Sequence, residues 1–218
     1  MKEGTADREG FAAFLLRLRG KGLTSKSMVA AFETVPRRAF LPERFASHAW
    51  TERMLPIECG EAIEGVDLEA AVIAHLGIEP GHRVLEIGTG TGYTAAVMAR
   101  LASRVLTLER WRTLADLAKS RMEALAIGNV EIKHMDGSHG AAPGDGPFDR
   151  IVVWSATETV PRPFIDQLAT HGTTIVVVGE AESEQMLTKL VKVGSRFDTL
   201  ELGPVRLQKM MRGVSSYL

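Results

Sequence analysis

Apolar residues recur along this chain with two different periods, and the places where one gives way to the other mark its elements. Phe11, Phe14, Leu15 and Leu18 stand at helical spacing, "GKGLTSKS" offers a break and a new Ser or Thr cap, and "MVAAFETV" resumes the pattern. Two helices are expected there. "PRRAFLPERFASHAWTERMLPIECGEAIEG" has prolines, glycines and weak periodicity, which predicts irregular chain with one short helix at most. Such a loop is a candidate binding element. From Val66 the run "DLEAAVIAHLG" is helical again and closes at Gly77, with Pro80 just beyond.

Five short β-rich runs follow: "RVLEI", "RVLTLE", "VEIKH", "DRIVVW" and "TTIVVV". Helical stretches such as "TAAVMARLA", "LADLAKSRMEALA" and "PRPFIDQLAT" separate them, and that alternation predicts an α/β fold, a doubly wound and mostly parallel sheet. "MLTKLVKV" and "FDTLELGPVRL" are joined through "GSR" without a full helix, so this last pair is expected to be antiparallel, which makes seven strands. The pattern divides the chain into residues 1–65, helices and a covering loop packed on the main domain, and residues 66–218, the domain that holds the ligand.

Composition narrows the function classes. A chain of 218 residues that is 45% hydrophobic can bury the core of one main domain. Its 26 basic residues against 27 acidic ones make no global field that draws it to nucleic acid or to an anionic membrane. No apolar run approaches the ~20 residues of a bilayer span. Cys59 is the only cysteine, which leaves no internal disulfide framework, and "MKEGTADREG" lacks the apolar region of a secretory signal; a cytoplasmic protein is expected.

Candidate chemistry concentrates in "VLEIGTGTGYTAAVMARL", Val84 to Leu101. In an open α/β sheet ligands sit beyond the carboxyl ends of the strands, and a glycine-rich first turn lets the backbone approach them. A dinucleotide fingerprint needs Gly-x-Gly-x-x-Gly, but Tyr93 stands where the third glycine belongs and Gly92 comes one place early. NAD, and with it an oxidoreductase, is the runner-up. Glu86, Gly88, Gly90 and Gly92 instead form an acid followed by a Gly-x-Gly-x-Gly repeat, which resembles the first motif of the class I S-adenosylmethionine-dependent methyltransferases. The resemblance implies that this turn, Thr89 included, cradles the amino acid part of the cofactor, with the acid near its ammonium group. "RVLTLE" ends in Glu109 about 20 residues after the turn, where a carboxylate can accept both ribose hydroxyl protons. "HMDG" places Asp136 and Gly137 where that class contacts adenine.

"VPRRAFLPERFASHAWTERMLPI", the glycine stretch and "PFDRIVVWSATETVPRPFIDQL" are similar to the protein-L-isoaspartate O-methyltransferase family, over roughly Leu23 to Leu207. The resemblance implies S-adenosylmethionine as cofactor, protein repair as the role, and as partner a protein or peptide carrying an isoaspartyl carboxylate. A carboxylate of pKa near 4 is already ionised at neutral pH, so its attack on a sulfonium methyl needs alignment rather than a base. No nucleophilic triad is present, and "WSATETVP" stands where amine methyltransferases often carry an Asn-Pro-Pro-Tyr motif.

The resemblance breaks at two places. The family's loop of Gly-Gln-Thr-Ile-Ser followed by Pro reads "GEAIEGV" here, Gly60 to Val66. Gly60 and Ile63 match, Ile63 being a candidate cofactor contact, while Glu61, Ala62, Glu64 and Val66 depart. Glu61 and Glu64 are the substrate-loop candidates. If they face the pocket they repel an anionic acceptor, which leaves open a changed acceptor or a cofactor-binding paralogue without isoaspartyl activity; if they face solvent the usual function stands. "VRLQKM", Val205 to Met210, replaces the family's Arg-Phe-Val-Pro-Leu, and Arg206, Lys209 and Arg212 read as a solvated tail. His134, Asp136 and His139 have no recognised metal-ligand spacing, so no metal is expected. Cys59 is expected to be an unreactive thiol beside Glu58 and Glu61. Trp50, Trp111 and Trp154 read as core or interface aromatics, Trp154 being also a candidate floor for the acceptor pocket.

Overall fold

The computed structural model describes residues 2–180 and 182–215. Helices α1 (Lys2–Gly20) and α2 (Lys26–Thr34) come first, and the Ser25 side chain caps α2 by accepting the Met28 N–H at 3.2 Å. The segment read as irregular holds more than one short helix. It carries 3-10 turns at Arg37–Phe40, Glu43–His48 and Glu58–Gly60, and strands β1 (Leu55–Pro56) and β2 (Ala62–Ile63) pair antiparallel. Three-residue hydrogen-bonded turns show no amphipathic period, so the pattern could not display them.

After α3 (Val66–Leu76), which ends at Gly77 in the left-handed region, the chain runs β3 (Arg83–Ile87), α4 (Tyr93–Ala99), β4 (Arg104–Glu109), α5 (Arg112–Ala124) and β5 (Val130–His134). It continues through β6 (Phe148–Thr157), α6 (Arg162–Asp166), β7 (Leu168–Val178), β8 (Gln185–Val193) and β9 (Arg196–Val205). The helix expected over "PRPFIDQLAT" is only five residues long, because Leu168 already pairs with Phe148 as the start of β7. The sheet order is β5-β4-β3-β6-β7-β8-β9; pairs from β5 to β7 are parallel, and β7-β8 and β8-β9 antiparallel.

Alternate residues of the central strands feed two cores. Val84, Val105, Val152 and Val177 join the core built with α1 to α5, while Leu85, Leu106, Val153 and Val176 join the one under Phe164 of α6. The chain steps from β3 out to β4 and β5, then returns to β6 on the other side of β3. The carboxyl end of β3 is therefore the switch point where such sheets bind ligands.

Polar pairs dock the N-terminal helices. Arg17 of α1 donates to Asp67 of α3 at 2.7 Å, and the Trp50 indole N–H donates to Asp7 at 2.8 Å. Arg37 is wholly buried: it pairs with Glu69 of α3, lies 4.6 Å from the centre of the Tyr93 ring on α4, and donates through Nη2 to the Glu64 carbonyl at 2.6 Å. Removing one partner strands a charge in the core, so Glu69→Ala should cost roughly 3 to 5 kcal/mol. A guanidinium-chloride unfolding curve checks this; a midpoint equal to the parent's would show that Arg37 finds another counter-charge.

Candidate functional site

The turn after β3 exposes its backbone. Gly90 sits at φ +52°, and a Cβ added there would meet only Ile57 Cδ1, at 3.8 Å, so the missing side chain leaves open space. Gly92, at φ +88°, has a different duty: an added Cβ would lie 3.0 Å from both Ala118 Cβ and Met122 Cε, so this glycine lets α5 pack against the start of α4.

Beneath the turn, Glu86 is entirely buried. Its Oε1 accepts from Thr94 Oγ1 at 2.5 Å and from Trp154 Nε1 at 2.9 Å, and its Oε2 accepts from Thr107 Oγ1 at 2.7 Å. Thr107 has one proton and spends it on Glu86, so Thr89, 2.7 Å away, donates to Thr107. Burial pushes the Glu86 carboxyl up to about 7 against these donated bonds. Glu109, at the end of β4, accepts the Gly90 N–H and the Trp111 N–H, each at 2.9 Å. Burial raises its pKa while these backbone donors oppose the shift.

A cavity of about 350 Å³ opens above Gly88, Gly90 and Ile87. Leu108, Glu109, Trp111 and Leu114 line one side, Trp154 and Ser155 the other. Gly137 and Ser138, after β5, close a third side. The loop before α3 contributes Ile57, Glu61, Ala62 and Glu64. Both loop acids thus stand on the cavity wall, which answers a question the sequence left open. Glu61 accepts the Trp111 indole N–H at 2.7 Å. Burial pushes Glu64 up to about 7, with the Arg37 charge opposing. A smaller cavity of about 50 Å³ adjoins, lined by Ile63, Thr89, Glu69 and Tyr93 and sharing Gly88, Gly90, Glu64 and Trp154 with the larger one.

Glu86, Gly92 and Asp136 line neither cavity. Asp136 accepts the Ser138 N–H at 2.9 Å and the Gly213 N–H at 2.8 Å. Burial opposes it, yet these donors hold the Asp136 carboxyl below its ordinary value. Gly213 belongs to a C-terminal strap rather than to a solvated tail. The Ala156 N–H donates to the Gln208 carbonyl and the Met210 N–H to the Ala156 carbonyl, both at 2.8 Å, and the Ser215 N–H reaches the Arg110 carbonyl at 2.7 Å. The strap crosses the ends of β6, β5 and β4 and sets Gln208, Lys209, Met210 and Met211 into the cavity wall. His134 Nε2 lies 3.1 Å from the Arg110 carbonyl. Cys59 has its pKa raised by burial first, with Glu109, Glu58 and Glu61 adding to the shift.

The sequence profile of the Protein-L-isoaspartate(D-aspartate) O-methyltransferase (PCMT) family matches residues 11–207. The chain belongs to this family. A protein-L-isoaspartate O-methyltransferase of Rhizobium meliloti is 38% identical over 203 residues, 93% of this chain and 99% of its own. That of Rhodopseudomonas palustris (strain BisB18) is 41% identical over 206 residues, 94% of each. A solved protein-L-isoaspartate O-methyltransferase superposes with a TM-score of 0.80 at 28% identity, covering 91% of this chain and 65% of that one. The fold is also that of a Plasmodium falciparum protein solved in complex with S-adenosyl-L-homocysteine, with a TM-score of 0.78 at 21% identity over 91% of this chain and 97% of that one.

Within this family frame, three features escaped the sequence reading: the indole donors of Trp154 and Trp111, the Arg37 hold on the loop, and the strap. Trp154 stood out as a candidate pocket floor at the end of "DRIVVW", and it lies within β6; the others gave no local signal.

Glu64 and Glu86 titrate near 7 when folded, above the ~4.3 of a glutamate in an unfolded chain. The folded state then holds more protons than the unfolded one between these values, so the contribution to stability is full below about pH 4.5 and is lost as pH rises through 7. The urea midpoint should fall between pH 5 and pH 8, and the slope should be shallower in Glu86→Gln; a midpoint that rises over that range contradicts the assignment.

Proposed function

We propose that this protein uses S-adenosylmethionine to methylate the free carboxylate of isoaspartyl residues in proteins or peptides. The observation that carries the reading is the cavity at the switch point, where the bare backbone of Gly88 and Gly90 and the carboxylate of Glu109 meet, in a chain whose family profile spans residues 11–207. Its volume lies in the range of small-molecule sites, roughly 300 to 1,000 Å³.

The residues present fit the cofactor. Space where a Gly90 side chain would stand admits its amino acid part, and Glu109, fixed by two backbone donors, keeps lone pairs for ribose hydroxyls. Leu108, Leu114 and Ile87 offer apolar walls, and Gly137 and Ser138 border the place for the base. Glu86 acts from beneath by holding the turn. Asp136, likewise held by two backbone donors, also keeps lone pairs but lines neither cavity. When bound, S-adenosylmethionine supplies a methyl group on a positively charged sulfur. The chain's own work is alignment and exclusion of water: the strap and the loop wall off the reacting centre, and an acceptor carboxylate arrives ionised, so no base is required. The acids on the wall favour a second reading in which the acceptor is uncharged or cationic.

Calorimetry with S-adenosylhomocysteine and with NAD tests the cofactor, and labelled methyl transfer to an isoaspartyl peptide tests the acceptor. Binding of the homocysteine adduct and not of NAD is expected; the reverse overturns the reading. A carboxylate that accepts ribose hydroxyls is worth roughly 1.5 to 3 kcal/mol, so Glu109→Ala should weaken the adduct about tenfold or more. Unchanged affinity in the folded variant removes Glu109 from the site.

A further inference from the structure

Three carboxyl groups line the larger cavity, and two are already engaged. Glu109 accepts two backbone N–H groups and Glu61 accepts the Trp111 indole N–H. Glu64 differs: its backbone carbonyl is held by Arg37, while no described side chain or backbone donor reaches its carboxyl group. It lines both cavities, as do Gly88, Gly90 and Trp154. A half-buried carboxyl group without a protein partner, on the wall of a binding cavity, has hydrogen-bonding capacity that a ligand can take up.

We propose that Glu64 receives the acceptor, its neutral carboxyl group donating a hydrogen bond to the acceptor carboxylate. This inference rests on the isoaspartyl reading above. It turns the apparent obstacle, an acid on the wall facing an acidic substrate, into a donor site, as a protonated carboxylic acid can donate where an ionised one repels.

Burial favours this protonation state, and the Arg37 charge opposes it. From the 3-10 turn Arg37 faces it, but that guanidinium is committed to Glu69 and to the Glu64 carbonyl. Glu69 of α3 lies on the same small cavity, and Glu61 on the loop and Glu109 on β4 share the larger one. The nearby cations on the wall are engaged elsewhere: Lys209 pairs with Glu158 at 2.9 Å, and Arg110 donates to the Gly213 carbonyl at 3.1 Å. Burial already brings Glu64 to about 7, and an arriving carboxylate raises it further because two like charges in one site share a proton. During transfer the acceptor oxygen away from Glu64 forms the new C–O bond, the C–S pair returns to sulfur, and the proton stays on Glu64, now donated to the ester carbonyl.

The test is the pH profile of kcat/KM for an isoaspartyl peptide, for the wild type and Glu64→Gln, together with S-adenosylhomocysteine affinity by calorimetry. With a group near 7, the wild type should lose about 20-fold between pH 6.5 and pH 8.5. Glu64→Gln, whose amide N–H donates more weakly and does not titrate, should be slower at pH 6.5, flat to pH 8.5, and faster than the wild type at the alkaline end. Its affinity for the homocysteine adduct should equal the wild type's. Parallel profiles in the two proteins overturn the proposal and leave the isoaspartyl reading intact. A tenfold loss of adduct affinity in Glu64→Gln also overturns it, by assigning Glu64 to the cofactor's ammonium. No methyl transfer by either protein at any pH, with the adduct still bound, overturns the isoaspartyl reading and this role with it.

Discussion

The site depends on one buried carboxyl group. Glu86 lies under the glycine turn with no access to water, and its hydrogen bonds come from α4 through Thr94, β4 through Thr107 and β6 through Trp154. These are the helix that the turn begins and the two strands that flank β3. Because a buried carboxyl group is costly unless satisfied, its donors are held in place as firmly as it is. The turn between them therefore has little freedom, and Gly88 and Gly90 can present bare backbone at a fixed position. Thr89, donating to Thr107, adds the turn itself to the network.

A second buried network fixes the cover over that turn. Arg37 reaches Glu69 on α3, the face of Tyr93 on α4 and the Glu64 carbonyl, and so ties the N-terminal segment and the loop of residues 60–65 to the helices flanking the turn. The loop contains little regular structure beyond the two-residue strand β2, and its conformation is set by that guanidinium and by the Glu61 to Trp111 hydrogen bond. From the opposite side the C-terminal strap is held by backbone bonds to Ala156 and Arg110 and by the Asp136 carboxylate. Cover and strap give the cavity its acidic wall and its methionine-lined wall respectively. On the strap's wall Met210 and Met211 stand beside Gln208 and Lys209.

Much of the fold was legible in the chain alone. Strand and helix periods displayed the seven sheet strands and the helices α1 to α5, because these elements bury enough surface to impose a pattern. The glycine turn and Glu109 were legible because left-handed backbone and strand-end spacing are local properties. Glu86 was legible as an acid before the turn, but not its direction. Parallel strands buried on both faces are apolar on both, so "RVLEI" has no alternation to say which way Glu86 points.

What only the tertiary structure decided lies in contacts between residues far apart in sequence. Glu61 and Glu64 face the cavity because Trp111 and Arg37, 50 and 27 positions away, hold them there. The strap looked like a basic tail because its anchors are mostly backbone N–H and carbonyl groups, which every residue carries and no composition reveals. Asp136, readable as a ligand at a strand end, is engaged by Gly213, which is 77 positions later. The sequence by itself determined the strands of the sheet and the turn, since these follow from local conformation and periodic burial, while the strand order that makes the end of β3 a switch point came from the fold. The walls of the cavity were decided by the fold, since a side chain's direction depends on which distant donor reaches it.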